Sequence, residues 1–142
     1  MQLQDKEIIY KRLNKLEKEL KALEKHSSVS LEQYLEDGDL QAVVERRLQV
    51  LAQIAMDIGN YLVTRKRLEI PEEEENVFIV LGKAKILSWK LSQKMKGLVR
   101  FRNILVHNYL EIDPEIVYEN LKNNLSDFRK FAEEISKYLG EP

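Results

Sequence analysis

The chain of 142 residues contains no cysteine. It therefore has no disulfide, no thiol nucleophile and no cysteine ligand for a metal. Proline and glycine are scarce, at three and five residues, and no long stretch alternates between apolar and polar positions as a strand would. These absences favour an all-α protein.

Long hydrophobic runs are also missing. The longest are a few residues, far short of the roughly 20 needed to span a bilayer. The segment MQLQDKEIIYKRLNKLEKEL is charged throughout, unlike a signal peptide. We expect a cytoplasmic protein that does not contact membranes and forms a single domain over residues 1–142.

Acidic residues are absent from one long window. Between Asn76 and Leu110 there is no Asp or Glu but seven Lys and Arg, a charge of +7, which leaves −8 for the remainder of a chain whose total is −1. Such segregation permits an anion-binding face. The alternative is that these lysines form an ordinary solvated helix surface.

Apolar residues recur in steps of three and four along the chain, which is the spacing of one helix face. Such stripes run over residues 9–23, 40–62 and 117–139. Short polar side chains precede several of the expected helices and are predicted caps: Ser30, Asp39, Ser88 and Asp113. We expect an antiparallel up-and-down bundle of four to five helices.

The stretch RFRNILVHNY, residues 100–109, combines two arginines, an asparagine, a histidine and a tyrosine. Treated as part of a helix over 94–110, it has a core stripe of Leu98, Phe101, Ile104 and Leu105. The polar residues lie in two rows away from that stripe: Lys96, Arg100, Asn103 and His107 in one, and Arg102 and Tyr109 in the other.

Arg102 and His107 are about 140° apart on an ideal helix. They can act on one ligand only if the helix ends or bends between them, or if a second chain completes the site. The other histidine, His26, is expected in a serine-rich loop and is a poor candidate. A symmetric dimer that brings two copies of His107 to a shared cleft would supply both a base and an acid.

The residue types indicate a phosphodiester ligand. An arginine fork suits phosphate oxygens, an imidazole can move protons, and a tyrosine can stack on a base. With Lys96 and Arg100 in line as phosphate contacts, the motif is suited to RNA cleavage in which the 2′-hydroxyl is the nucleophile and arginine stabilises the phosphorane. No carboxylate cluster accompanies it, so we predict no metal and no other cofactor. The alternative is a purely structural role, in which the histidine hydrogen-bonds within the bundle and Arg and Tyr lie at an interface.

The stretch RNILVHNY has the form R-N-x-x-x-H-x-Y and resembles the signature of HEPN-domain proteins, specifically the HepT toxin family. Two flanking segments are also similar to the family: LQAVVERRLQVLAQIAMDIGNYLV at 40–63 and IDPEIVYENLKNNLSDFRKF at 112–131. The resemblance covers roughly residues 39–139. Tyr61 departs from it, since relatives often have histidine there, and GKAKILS at 82–88 is more basic than expected.

The resemblance implies an all-helical homodimer whose motif lines a cleft at the dimer interface and cleaves RNA without metal, tRNA being a known target class. It also implies a toxin silenced by an MNT-type minimal nucleotidyltransferase antitoxin, which attaches AMP to the motif tyrosine. Carried over by position, Arg102 and His107 are catalytic, Asn103 orients them and Tyr109 accepts AMP.

Under the same resemblance, Asp57 and Asn60 would support the cleft.

Two other functional classes remain open. One is a non-catalytic helical subunit that binds a nucleotidyltransferase and presents its substrate, against which the complete motif argues. The other is an antitoxin-like or structural dimer without RNA contact, against which the acid-free window argues.

Overall fold

The computed structural model describes residues 1–140, in which every regular element is helical. Five helices of ten residues or more form the bundle, and two shorter helices and two 3₁₀ turns connect them. The helices are α1 (Leu3–Glu24), α2 (Leu31–Glu36), α3 (Gly38–Arg65), α4 (Val77–Lys83), α5 (Trp89–His107), α6 (Pro114–Asn123) and α7 (Leu125–Gly140), and the 3₁₀ turns span Glu74–Asn76 and Tyr109–Glu111.

The long helices pack antiparallel, as predicted. Asp5 near the start of α1 meets Arg65 at the end of α3, whereas Glu19 near the end of α1 meets Arg47 in the first half of α3. The same reversal relates α5 and α7, where Ser88 contacts Glu134 and Lys94 contacts Asp127. The all-α bundle is confirmed.

The apolar stripes of the sequence become the core. All five stripe residues of α1, from Ile9 to Leu23, are buried, and so are Leu48, Leu51 and Leu62 of α3. These side chains form one continuous cluster with apolar residues of every other α-helix. Burial of these stripes is the main stabilising term of such a bundle.

Three of the four predicted helix caps are confirmed. Ser30 forms a capping box with Gln33, Ser88 caps α5, and Asp113 caps α6 with Pro114 in the first turn. The prediction for Asp39 is wrong. Asp37 caps α3, because its Oδ1 accepts from the Leu40 amide at 3.0 Å and the helix begins at Gly38.

Two helix ends differ from the sequence prediction. The carboxy-terminal stripe 117–139 is divided at Asn124, whose side-chain amide donates to Asn120 Oδ1 at 2.7 Å, so α6 and α7 are separate helices. Helix α5 ends at His107, because Asn108 adopts φ −125° and ψ 45°. No helix within residues 1–140 is both long enough and apolar enough to cross a membrane.

Candidate active site

Helix α5 carries the motif and is anchored at its first turn. The Ser88 hydroxyl oxygen accepts from the Leu91 amide at 3.3 Å. Glu134 of α7 accepts from both the Ser88 amide, at 2.6 Å, and the Ser88 hydroxyl, at 3.1 Å. From Trp89 the helix continues unbroken to His107. Arg102 and His107 therefore lie on one regular helix and point in different directions.

Arg102 is held by acceptors on three elements. Its Nη2 donates to Gln53 of α3, and its Nη1 donates to Asn103 Oδ1 at 2.5 Å and to Glu74 at 3.4 Å. Gln53 in turn donates from Nε2 to Asp57 Oδ1 at 2.9 Å. A hydrogen-bonded chain thus runs from Asp57 through Gln53 to Arg102 and Asn103, and it fixes the orientation of the guanidinium.

The expectation that Arg102 faces away from the bundle is wrong. Only 13% of its side chain is exposed, because it turns toward α3 and its acceptor Gln53. Its Nε–H is buried and has no hydrogen-bond partner among residues 1–140. One donor of the fork is therefore not used within the described chain.

His107 is exposed at the end of α5. Within the described part of the chain its side chain makes no hydrogen bond or ion pair, so the alternative of a histidine that hydrogen-bonds inside the bundle does not hold. Helix α5 is unbroken as far as His107, so it does not end between Arg102 and His107. Arg102 and His107 diverge on this helix. A second chain that completes the site would allow both residue types to act on one ligand.

Tyr109 lies outside α5, in the 3₁₀ turn Tyr109–Glu111, and 68% of its surface is exposed. The prediction that it shares a helix row with Arg102 is wrong, because the helix ends two residues before it. Its position next to the end of α5 still places the phenol close in sequence to His107. The side chain is freely accessible to a second protein.

Arg100 is not a free cation. Its guanidinium makes two hydrogen bonds to the Glu75 carboxylate, at 3.0 and 3.2 Å. This contact, with the charge of Lys96 nearby, lowers the pKa of Glu75 below its ordinary value. Glu74 and Glu75 therefore pair with the two arginines at the motif end of the acid-free window. The sequence of the window alone does not show these pairs.

Asn60 is not brought to the motif. It lines a shallow hollow along α1 and α3 with Asp57, Tyr61 and Arg12. Tyr61, the departure from the family pattern, has a structural role there: its hydroxyl donates to Asp5 at 2.6 Å, and the Arg12 guanidinium lies 5.2 Å from its ring centre. Asp57 reaches the site only through Gln53.

The apolar side of α5 is only partly covered. Leu98 and Leu105 are buried as predicted, but Ile104 is 41% exposed. Exposed Leu110 and Ile116 follow in the turn and in α6. A hollow of about 530 Å³ beside Phe101, Ile104 and Ile116 separates α5 from α6 and α7. An apolar surface thus adjoins the motif.

Three contributors were missed from the sequence: Gln53, Glu74 and Glu75. The position of Gln53 could have been noticed in the sequence, since it precedes Asp57 by four residues and so lies on the same face of α3. The two glutamates lie just outside the acid-free window and had no such signal. Residues 1–140 contain no group of three or more His, Asp or Glu side chains arranged to hold a metal ion.

The chain is similar to known ribonucleases. Residues 16–135 match the family described as ribonuclease HepT-like. The tRNA nuclease HepT of Aphanizomenon flos-aquae is 32% identical over 132 residues, 93% of this chain and 90% of the relative. The mRNA nuclease HepT of Shewanella oneidensis is 32% identical over 103 residues, 72% of this chain and 77% of the relative.

Solved structures with the same fold come from toxin–antitoxin complexes. A chain in a crystal structure of a toxin–antitoxin with AMP-PNP matches 92% of this chain and 98% of its own length, with a TM-score of 0.85 and 27% identity. The tri-AMPylated HEPN toxin of Shewanella oneidensis, in complex with MNT antitoxin, matches 96% and 99%, with a TM-score of 0.84 and 27% identity. The expected HEPN fold is confirmed.

Proposed function

This chain belongs to the HepT-like ribonuclease family, and we propose that it is a metal-independent endoribonuclease toxin whose active site contains Arg102, Asn103 and His107. The observation that carries the proposal is the orientation of Arg102 by Gln53 and Asn103, on the same helix as an exposed His107. A guanidinium held in this way is a preorganised donor for charge that develops on a phosphate.

The reaction we propose is attack of a ribose 2′-hydroxyl on the adjacent phosphorus. The bond from phosphorus to the 5′-oxygen of the next nucleotide breaks, leaving a 2′,3′-cyclic phosphate and a free 5′-hydroxyl. One imidazole takes the proton from the 2′-hydroxyl, and another gives a proton to the departing 5′-oxygen. Arg102 stabilises the extra negative charge of the phosphorane between these steps.

A homodimer supplies the second imidazole. Arg102 and His107 diverge on unbroken α5, so His107 of one chain would act with Arg102 of its partner. The exposed apolar residues Ile104, Leu110 and Ile116 support this arrangement, because apolar side chains left exposed beside a site favour protein contact. Light scattering should give about twice the chain mass, and Ile104→Lys should give monomers.

Ile70→Lys is the matched control for the dimer, since Ile70 is 80% exposed in a loop outside the motif region. It should leave the dimer intact. A wild-type protein that stays monomeric at micromolar concentration while cleaving RNA would exclude the shared site.

RNA must displace the glutamates that meet the arginines. Glu75 occupies the Arg100 fork, and Glu74 lies 3.4 Å from Arg102. Both pairs are partly open to solvent, where ion pairs contribute little, so a polyanion can replace them. Lys96 and Arg100 would then contact phosphates on either side of the cleaved bond. We infer tRNA as the substrate, since the relative described as a tRNA nuclease aligns with 93% of this chain.

Silencing is assigned to an MNT-type nucleotidyltransferase that transfers AMP to Tyr109. The exposed phenol can enter another enzyme's active site without unfolding of α5. The attached phosphodiester adds a negative charge next to His107, where it repels RNA phosphate. After co-expression with such a partner and ATP, peptide mapping should locate AMP on Tyr109. Tyr109→Phe should escape silencing, and Tyr10→Phe, on α1, should not.

The catalytic assignment is tested with the two histidines of the chain. His107→Ala should slow RNA cleavage by about 10²–10⁴-fold, the usual contribution of general acid–base catalysis. His26→Ala should cleave normally, and EDTA should change neither rate. Normal cleavage by His107→Ala, or complete loss with EDTA, would contradict the proposal.

A further inference from the structure

The seven cations of the acid-free window are not equally neutralised. Lys94, Arg100 and Arg102 each pair with an acidic residue from outside the window. At the opposite end, the exposed residues Lys83, Lys85 and Lys90 make no ion pair within residues 1–140. Lys96 is half-buried and also makes no ion pair there, but its charge acts on Glu75. Three exposed lysines without an ion pair are therefore grouped around the turn between α4 and α5, at the opposite end of α5 from the motif.

Trp89, the only tryptophan of the chain, lies among these lysines as the first residue of α5. Its ring rests on α4: a Cβ added to Gly82 would lie 3.1 Å from Trp89 Cε3. Half of the residue's surface nevertheless stays exposed. A tryptophan buried only on one side presents an aromatic surface to solvent at a fixed position.

The exposed ring borders a hollow of about 690 Å³, whose lining also includes Lys85, Tyr138 and Glu134. The Lys66 ammonium lies 5.9 Å from the centre of the Tyr138 ring. Glu134 is the one acid in this lining, and its carboxylate accepts two hydrogen bonds from Ser88 at the start of α5. The concave surface therefore contains two aromatic side chains, with Lys85 in its lining and Lys66 beside Tyr138.

We propose that Trp89 and the lysines Lys83, Lys85 and Lys90 form a second RNA-binding surface, on which a base of a single-stranded segment stacks while the ammonium groups contact its phosphates. Aromatic stacking accepts any base, and lysine contacts to phosphate carry no sequence information. The surface would add affinity without choosing the cleavage site. The inference rests on the proposed function only in requiring that the chain binds RNA.

The spacing along α5 makes the proposal specific. Trp89 and His107 are the two ends of the helix, about 27 Å apart at 1.5 Å per residue. A strand must extend roughly eight stacked nucleotides from the cleaved bond to cover this distance, at about 3.4 Å per nucleotide. A short oligonucleotide bound at the motif would not reach Trp89, whereas a longer RNA would contact both places.

The first experiment uses the fluorescence of Trp89 in the full chain with His107→Ala, so that RNA stays intact. A labelled single-stranded RNA of roughly 20 nucleotides, about two and a half times the span above, is titrated while tryptophan emission and label anisotropy are measured together. We expect saturable quenching that parallels the anisotropy. Binding without any change in emission would overturn the proposal.

The second experiment removes the charge. Lys83→Gln, Lys85→Gln and Lys90→Gln together should weaken binding of the long RNA about tenfold and reduce the salt slope by about 2, at roughly 0.7 per lost phosphate contact on a single strand. The control removes three exposed lysines of α1 and the segment after it: Lys11→Gln, Lys18→Gln and Lys25→Gln. Equal weakening by both sets would overturn the proposal.

Cleavage kinetics separate this surface from the motif. Trp89→Ala should raise KM for the long RNA about tenfold, leave kcat unchanged and leave cleavage of a short oligonucleotide unchanged, and Trp89→Phe should retain most of the affinity. Normal cleavage with unaltered KM in Trp89→Ala would refute only this inference, whereas absence of any RNA binding by the wild type would refute the proposed function as well. Emission that responds to the nucleotidyltransferase partner but not to RNA would assign the surface to that protein instead.

Discussion

The two ends of α5 carry positive charge in different ways. At the motif end, Arg102 and Arg100 are arginines whose forks are occupied by side-chain acceptors. At the other end, Lys85 lies in the turn before α5 and Lys90 in its first turn, both without an ion pair in the described structure, and Trp89 is exposed at the start of the helix. Helix α5 thus has oriented donors at one end and exposed lysines without an ion pair at the other.

This difference matches two physical tasks. Stabilising a transition state requires donors that are already in place, since reorientation during the reaction costs free energy. Attracting a polyanion requires only charge density, which flexible lysines supply. The chain separates the two tasks along a single helix, and each can be disturbed without the other.

The largest expected contrast is between the two arginines. Arg102→Ala should reduce kcat for RNA cleavage by about 10²–10³-fold, the usual cost of losing one oriented donor to the transition state. It should also lower stability by about 1–3 kcal/mol, since Gln53 loses a partner in a partly buried place. Arg100→Ala should cost at most about fivefold in kcat/KM, because its pair is exposed. Equal effects of the two substitutions would remove the distinction.

A second contrast alters only the packing of α4 against the first turn of α5. Gly82→Ala would place a Cβ 2.5 Å from Ser92 Oγ and 3.1 Å from the Trp89 ring, so we expect a loss of about 1–3 kcal/mol from overpacking. Gly38→Ala is the control, with nothing within 4 Å of the added Cβ, and should stabilise by about 0.4–1 kcal/mol. Denaturant unfolding measures both. Folded Gly82→Ala should cleave a short oligonucleotide at the wild-type rate.

Gln53 tests whether orientation at the motif matters. Gln53→Leu removes the acceptor of Arg102 and should lower kcat about tenfold with little change in KM, since an unpaired buried donor costs about 1–3 kcal/mol. Gln53→Glu keeps an acceptor and should recover most of the rate. Gln49→Leu, one turn earlier on α3, serves as the control. A similar loss in Gln49→Leu would point to general damage to α3.

The smallest expected effect concerns the glutamate that competes with RNA. Glu75→Gln should lower KM for RNA by up to about fivefold, because it weakens an exposed ion pair with Arg100. Arg100 lowers the pKa of Glu75, so the pair stabilises the fold above the ordinary glutamate pKa and is lost only as pH falls through the lowered value. The effect on KM should therefore be constant across neutral pH. A KM difference that disappears at neutral pH would contradict this account.

The local features of this structure could be predicted from the sequence because local patterns determine them. The apolar stripe of α1 is buried as its spacing indicates, and Ser30, Ser88 and Asp113 cap the helices that follow them. Arg102, Asn103 and His107 of the motif lie on a helix as expected. Each of these outcomes depends on residues within one or two turns of one another.

The errors concern contacts between distant segments. A helical wheel placed Arg102 on the solvent side, but its acceptor Gln53 is 49 residues away in the chain. The acid-free window looked uniformly basic, yet Glu75 neutralises Arg100 from 25 residues away. No glycine or proline near His107 indicates that α5 ends there. Because the helix ends at His107, Tyr109 lies outside it.

Helix α7 supports the motif helix although it contributes no residue to the motif. Phe128, Phe131 and Ile135 complete the core, and Glu134 fastens the start of α5. A substitution that displaced α7 is therefore expected to open the core and release the anchored start of α5. The activity of the motif would then fall although none of its residues had changed.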